Sequence, residues 1–335
     1  MIAENFNYDA PTSLDEAIAL LHQYGDEAKI LAGGHSLIPM MKLRFASPTH
    51  LIDINNIPGL SYVKEEDGYL KIGALTKEVE VEESDIIHKK YQIFMDATKL
   101  IADPQVRNFG TLGGNLAHGD AANDHPAVMI ALGAEVEITG KEGKRTVSID
   151  DFFHGFYTTA VEHGEILTEI KIPAATGNYG SAYHKAERKV GDYATAGVAA
   201  MIQVDDAGRC TKAGIGLTNV SPLPLRAKRS EEVLIGSDLS EEVIAQAAQY
   251  AAEDCSPSDD LRGNEEYKRH LVKVITKRML NKAISRTSKT KSAAEIKKML
   301  EPELVEYAKS IGIDAHVDDL KSDTLKKVLN KLGYK

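Results

Sequence analysis

The sequence predicts an α+β protein: an N-terminal domain in two parts (residues 1–58 and 59–175), a second α+β domain (176–286) and a small helical tail (287–335). Three observations lead there. Apolar residues recur at helical spacing in some segments and alternate with polar residues in others, and the two patterns interleave along the chain. No repeat of fixed period appears, which sets aside a solenoid. At 335 residues, 43% hydrophobic and 27% charged, the chain has ordinary globular composition and enough length for two or three cores without a disulfide or metal.

The first element is a helix over residues 13–24. Ser13-x-x-Glu16 has the form of a capping box, Leu14, Ala17, Ile18, Leu20 and Leu21 share a stripe, and Gly25 ends it. Residues 29–32 are short, apolar and followed by Gly33-Gly34, the pattern of a buried strand entering a turn, and 50–54 reads as a second strand of this unit. In the next part, 69–73 and 135–138 alternate as strands with one wet face do. Helices are predicted over 85–100 and 124–132, the latter with Pro126 in its first turn, where a missing NH costs nothing. Residues 166–172 form a strand closed by Pro173, and 174–180, rich in Gly, Thr and Asn, form a linker.

Beyond the linker, 181–188, 195–204 and 212–218 read as an antiparallel meander, followed by helices over about 240–253 and 264–286. Asn264 caps the last of these, with Tyr267, Leu271, Val274, Ile275 and Leu280 near one face. A polar spacer over 287–292 then precedes two short helices, 293–310 and 323–332, around a turn at Gly312.

Forty Lys and Arg against fifty Asp and Glu give a net charge of -10, which argues against a partner selected by bulk electrostatics, whether nucleic acid or an anionic membrane. Residues 290–335 hold nine Lys, no Arg and eight acidic residues, so the tail is no nucleic-acid footprint either. Its pattern is similar to small helix-extension-helix modules that dock on macromolecules, with a helical extension of no separate activity as the alternative. Apolar runs such as 127–132 are too short to cross a bilayer. Glu4, Asn5, Asn7 and Asp9 stand where the apolar part of a secretion signal would be. A cytoplasmic location is expected, with any membrane association made through partners. The only cysteines, Cys210 and Cys255, lack the close pairing of thiolate metal sites, and no disulfide is expected in a reducing compartment. Redox chemistry here would need an organic cofactor.

Two double-glycine segments could serve such a cofactor: Ala32-Gly33-Gly34-His35-Ser36, after a strand, and Thr111-Leu112-Gly113-Gly114-Asn115, in a loop. Consecutive glycines let backbone NH groups converge on an anion without a Cβ in the way, although a single Gly-Gly pair can equally make only a tight turn. Neither is a G-x-G-x-x-G fingerprint or a Walker loop. His118 and His125 flank Asp120 and Asp124, but no third well-spaced ligand accompanies them, so no metal site is expected. Ser36 has no general base at motif spacing, and no catalytic side chain is assigned.

Taken together, Leu31-Ala32-Gly33-Gly34-His35-Ser36-Leu37-Ile38-Pro39, Ile101-Ala102-Asp103-Pro104-Gln105-Val106-Arg107, Thr111-Leu112-Gly113-Gly114-Asn115 and Gly191-Asp192-Tyr193-Ala194-Thr195 resemble the FAD-binding medium subunits of molybdenum hydroxylases, the xanthine dehydrogenase family. The likeness is strongest to the aerobic carbon monoxide dehydrogenase type and runs in order over residues 1–286. It implies a two-part FAD-binding domain of the PCMH type, a C-terminal domain of the carbon monoxide dehydrogenase flavoprotein type, and noncovalent FAD in the cleft between them.

The resemblance also assigns residues. Leu31, Ala32, Gly33, Gly34, His35, Ser36, Leu37 and Ile38 would wrap the pyrophosphate, and Thr111, Gly113, Gly114 and Asn115 would close on it. Ile101 and Ala102 would line the flavin pocket, Asp124 would bond toward ribityl or ribose, and Leu167 would pack near adenine. Lys185 and Asp192 would face the flavin, with Tyr193 over its ring. His35 is a hydrogen-bond donor near phosphate or ribose on this reading.

Implied partners are a small subunit with [2Fe-2S] clusters and a large subunit with the molybdenum cofactor, in a dimer of heterotrimers that passes electrons through FAD to quinone, NAD or oxygen. Two alternatives stand beside it: a self-sufficient FAD oxidase with substrate in the interdomain cleft, and a non-catalytic scaffold. The substrate of the large subunit is left open among carbon monoxide, purines, aldehydes and nicotinate-like heterocycles.

Overall fold

Three sheets backed by helices follow one another along the computed structural model, which describes residues 2–287, 299–310, 313, 315 and 321–331. The first unit holds β1 (Asn7–Asp9), α1 (Leu14–Tyr24), β2 (Ala28–Leu31), α2 (Leu37–Lys42) and β3 (His50–Asp53), its parallel sheet ordered β1-β3-β2. The Ser13 hydroxyl accepts from the Glu16 NH at 3.2 Å, while the Glu16 carboxylate accepts from the NH of Thr12 at 3.0 Å, one residue before the cap. The capping box therefore closes in altered form. Segment 29–32 is not the buried strand expected: Lys29 is exposed and Ile30, Leu31 and Ala32 are half-buried, because β2 lies at the sheet edge and β3 takes the centre. Helix α2, which directly follows the Gly33-Gly34 turn, has too few residues to show a period and escaped sequence reading.

The second part contains β4 (Val63–Glu66), β5 (Tyr69–Gly73), α3 (Glu78–Glu83), α4 (Asp85–Lys90), α5 (Gln92–Thr98), α6 (Pro104–Arg107), α7 (Leu112–His118) and α8 (Asp124–Leu132). It continues with β6 (Glu135–Gly140), β7 (Gly143–Ser148), the small hairpin β8 (Phe153–Gly155) and β9 (Thr158–Thr159), and β10 (Ile166–Pro173). Its five-stranded antiparallel sheet is ordered β4-β5-β10-β6-β7. The helix expected over 85–100 is broken at Tyr91, whose backbone sits at φ -123° and ψ 56°. Its ring is fully buried and its hydroxyl lies 3.1 Å from Glu65 Oε1 and accepts from the Ala175 NH at 3.2 Å. Those tertiary partners set the break, and apolar spacing running straight through it hides it.

The second domain contains β11 (Asn178–Ala186), β12 (Ala196–Val204), β13 (Cys210–Thr218), β14 (Leu225–Arg226), α9 (Lys228–Leu234), α10 (Glu241–Asp254) and α11 (Glu265–Arg286). The meander is as expected, with β14 added at its edge. The linker is shorter than predicted, because β11 begins at Asn178 and pairs with β12 from there on. Helix α11 also turns a different face inward: Val272, Ile275, Thr276, Met279, Leu280 and Ala283 are buried, while Tyr267 is 50% exposed. Lys268 explains the rotation. Its aliphatic stem is buried, and its Nζ donates to Ser258 O at 2.9 Å and pairs with Asp260 at 2.8 Å.

Helix α8 joins the domains. Each of its residues is buried, and the surrounding core includes Val136 and Ile170 from the second part and Tyr183, Ala199 and Met201 from the C-terminal sheet. Gly214 and Gly216 on β13 permit this, since a Cβ there would lie 2.0 Å from Ala131 O and 2.1 Å from Ala127 O. Another core lies between the C-terminal sheet and α9–α11; Cys210 and Cys255 sit in it as unpaired thiols. Burial pushes Cys210 up to about 11 and raises Cys255 too, so both are inert side chains at neutral pH.

In the tail, α12 (Glu301–Ser310) and α13 (Lys321–Lys331) share a small core of Leu304, Val305, Ala308, Ala315 and Val328. The predicted spacer beyond Thr287, residues 293–298 of the first tail helix, Gly312 and Leu332 lie outside the described residues. Among the described residues no helix is long and apolar enough to cross a membrane.

Candidate functional site

The first glycine turn leaves the edge strand β2 and enters α2 with Gly34 at φ +72°. Among the described residues, the backbone NH groups of Gly33, Gly34, His35 and Ser36 donate to no protein acceptor. Gly33 lies against the chain that precedes α7, where a Cβ would come within 2.3 Å of Phe109 O and 2.9 Å of Gly110 Cα. The His35 ring stands 5.8 Å from that of Phe109, which is 60% exposed. Leu37 and Ile38 form the first turn of α2. The result is a cluster of unused donors at a partly open rim.

The second glycine segment is not a loop. Thr111 is the N-cap of α7, its Oγ1 accepting from the Gly114 NH at 3.2 Å, and Gly113 and Gly114 lie inside the helix. The Leu112 NH donates to Thr76 O and the Gly113 NH to Ala74 O, both at 2.9 Å, and the Asn115 NH donates to Thr111 O at 3.0 Å. Its amides are therefore largely taken by the protein. Gly113 is small because a Cβ would sit 2.6 Å from Ala74 O. The two segments still meet, since a Cβ on Gly114 would be 3.9 Å from that of Ala32. Beside them, Asn115 Oδ1 is buried with no hydrogen-bond partner.

Other predicted residues gather along the domain boundary. Ala102, at φ 46°, touches Gly191 so closely that a Cβ on the glycine would be 2.3 Å from Ala102 O, which brings the 101–102 and 191–193 segments together. Asp192 Oδ1 accepts from the Tyr193 NH at 2.8 Å and from Arg262 at 3.2 Å, and Oδ2 accepts from Arg188 at 3.1 Å. Burial works against the Asp192 carboxylate, but hydrogen bonds from Arg262 and Arg188 outweigh it and hold the pKa below the usual range. Tyr193 is 43% exposed, with the Arg262 guanidinium 5.8 Å from its ring centre. Partial burial and then the charge of Asp120 raise its phenol pKa.

Asp124 and Lys185 meet each other. Asp124, at the start of α8, accepts from Lys185 Nζ at 2.8 Å on one oxygen and from the Tyr183 hydroxyl on the other. All three are buried, and burial pushes the Asp124 carboxyl up against the pull of the Lys185 ammonium. Glu187 lies 3.7 Å from the same ammonium with Oε2 buried and unbonded. Leu167 is buried on β10, in the core of the second part. His125 packs away from His118: its Nε2 is 2.7 Å from Glu78 in the core, whereas the His118 ring lies tilted 4.8 Å from that of Tyr157. Sequence reasoning missed Phe109, Tyr183, Glu187 and Arg262; only tertiary contact places them at the site.

Among the described residues, a run of backbone donors without protein acceptors beside the buried, unbonded Asn115 Oδ1 suits the binding of an anionic cofactor. Residues 4–175 match the FAD binding domain in molybdopterin dehydrogenase, and residues 181–283 match the CO dehydrogenase flavoprotein C-terminal domain. The chain belongs to this molybdopterin dehydrogenase flavoprotein family. Over 286 residues it is 47% identical to the carbon monoxide dehydrogenase medium chain of Hydrogenophaga pseudoflava, a match covering 85% of this chain and 99% of that one. The corresponding chain of Afipia carboxidovorans is 44% identical over 286 residues, again 85% of this chain and 99% of the relative. The solved carbon monoxide dehydrogenase of Hydrogenophaga pseudoflava that lacks the Mo-pyranopterin moiety superposes with a TM-score of 0.84 at 48% identity, covering 86% of this chain and 100% of that one. These relatives are oxidoreductase subunits. The flavoprotein family thus accounts for both domains and the α+β architecture, while the two tail helices fall beyond the matched domains.

Proposed function

We propose that this chain is the FAD-carrying electron-transfer subunit of a molybdenum hydroxylase complex. It would take electrons from [2Fe-2S] clusters on a small subunit, fed by a molybdenum centre on a large subunit, and pass them to quinone, NAD or oxygen. A dimer of heterotrimers is the assembly this implies. Carbon monoxide is the substrate suggested by the relatives' names.

The observation that carries the reading is the run of unused NH groups from Gly33 to Ser36, held against Phe109 and Gly110 at the tip of α7. An FAD pyrophosphate brings about two negative charges, and in a chain of net charge -10 oriented amides can offset them without a basic patch. Asn115 Oδ1 is an acceptor free for a sugar or ribityl hydroxyl. When bound, FAD supplies the redox chemistry that exchanges electrons singly or in pairs. The protein's own contribution is position and exposure. Tyr193, 43% exposed beside Arg262 and next to the fixed carboxylate of Asp192, would limit access to the flavin on this reading. The buried Asp124–Lys185–Tyr183 group fixes the angle between the domains that bound that cleft.

The test is twofold. The purified chain should carry about one FAD, released into solution on acid denaturation; flavin that stays with the precipitate would instead mean a covalent link, with His35 as the attachment site to examine. Carbon monoxide should leave the flavin of the isolated chain oxidised and bleach it once the small and large subunits are added. Bleaching of the isolated chain by a substrate would overturn the subunit reading in favour of a self-sufficient oxidase, and a colourless chain that takes up no FAD would favour a scaffold.

A further inference from the structure

Away from the glycine turns, a cavity of about 480 Å³ opens where α4 and α5 of the first domain face β11 and the end of α11. In a chain with ten more acidic than basic side chains, this cavity is lined by Lys99, Lys282, Arg286, His88 and His184, with Asp96 as the acid. Asp96 Oδ1 accepts from Lys282 at 2.9 Å and Arg286 at 3.0 Å, and Oδ2 from Arg286 at 2.5 Å and from the Tyr183 NH at 3.2 Å. Burial works against the Asp96 carboxylate, yet Arg286 and Lys282 hold its pKa below the usual range, so it stays ionised.

The charges then compare simply. Among the described lining residues, three cations against one carboxylate leave two positive charges facing the cavity. Lys99 is exposed and makes no ion pair among the described residues, and Lys282 uses a single proton on Asp96, so donors remain free. His184 also lines the cavity, its pKa lowered first by partial desolvation and then by Lys282 and Arg278, against Glu187 and Asp96. Met95 and Leu100 supply an apolar wall beside the cations. A phosphate monoester carries about -1.5 to -2 at neutral pH, matching the surplus, whereas a monocarboxylate would leave one cation uncompensated. The volume lies within the range of small-molecule sites.

We propose that this interdomain cavity binds a small organic phosphate, its phosphate between Lys99, Lys282 and Arg286 and its organic part against Met95 and Leu100. Because Lys99 ends α5 and Lys282 lies on α11, the ligand bridges the two domains that bound the cleft, on the far side of Tyr183 from Asp124. Binding there stiffens the domain boundary. The site does not depend on the identity of the electron donor or acceptor.

The experiment is calorimetric titration of the FAD-loaded full-length chain with uridine 5′-monophosphate, a probe that shares no nucleoside with FAD. The expected result is one-to-one binding with Kd on the order of 10–100 μM, weakening with salt, and an upward shift in Tm. Uridine should bind at least about 100-fold more weakly, and inorganic phosphate about tenfold more weakly. Lys99→Glu should weaken UMP binding about 100-fold with the Tm of the unliganded protein unchanged, since Lys99 holds nothing in place. Lys282→Gln should weaken it about tenfold. No saturable binding by about 10 mM, uridine binding as tightly as UMP, phosphate binding as tightly as UMP, or Lys99→Glu binding like the parent would each overturn the proposal.

Discussion

At Gly33-Gly34 the successive amides from Gly33 to Ser36 face no protein acceptor, whereas at Gly113-Gly114 they are bonded to Ala74, Thr76 and Thr111. The same dipeptide thus does two jobs. In the first segment Gly33 lies on the Phe109 and Gly110 backbone while the amides from Gly33 to Ser36 have no protein acceptor; in the second Gly113 lets α7 lie on the Ala74 backbone with its amides bonded. The second segment nonetheless supports the first, because Phe109 and Gly110, which lead into α7, are the surface on which Gly33 rests. A cradle of open amides must be held in shape by neighbours whose own amides are satisfied, since an unpaired polar group is tolerable only where solvent or a ligand reaches it.

The sharpest way to break this comparison is to swap the effects of the two glycines. Gly33→Ala should weaken FAD binding about 100-fold, roughly 2.7 kcal/mol, because the added methyl displaces the turn from Phe109. The FAD-free form should lose about 1–2 kcal/mol as well, because the atoms the methyl meets are backbone, but less than the loss in FAD binding. Fluorescence titration of FAD beside urea unfolding of both forms measures the two numbers. In Gly113→Ala the order should reverse: overpacking against Ala74 should cost about 2 kcal/mol of stability in the FAD-free form. If that variant unfolds like the parent yet loses FAD, its amides belong to the ligand after all.

Asn115→Ala sharpens the contrast further. Its Oδ1 has no protein partner, so the FAD-free protein should keep its stability while FAD affinity falls about tenfold, near 1.4 kcal/mol; a loss of stability instead would make Asn115 a structural residue. The smallest effect belongs to Thr111→Ala, which removes an N-cap and should cost about 1 kcal/mol by urea unfolding, whether or not FAD is present.

Much of the fold is legible along the chain because it rests on local signals. Ser13, Gly25 and Asn264 mark helix ends through their own hydrogen bonds and backbone angles. Helix α8 appears where Pro126 and an unbroken apolar run place it, and the meander shows in its alternation. Signals that depend on a distant partner do not show. Tyr91 breaks a helix for the sake of Glu65 and Ala175, Lys268 buries its stem to reach Ser258 and Asp260, and Asn178 extends a strand because β12 is there to pair with it. The site divides the same way: the family resemblance named Asp124 and Lys185 separately, but nothing in the sequence says that they bond to each other.

By itself the sequence determined the α+β class, the lack of paired cysteines for a metal site, and the two glycine words that led to the flavoprotein family. Those follow from composition and from residues a few positions apart. Only the tertiary structure decided which glycine word leaves its amides open, and that α8 would be shared by two sheets. The physical reason is that an amide is a donor until something accepts from it. Whether Gly33 or Gly113 keeps that capacity depends on Ala74 and Phe109, residues that only folding brings near.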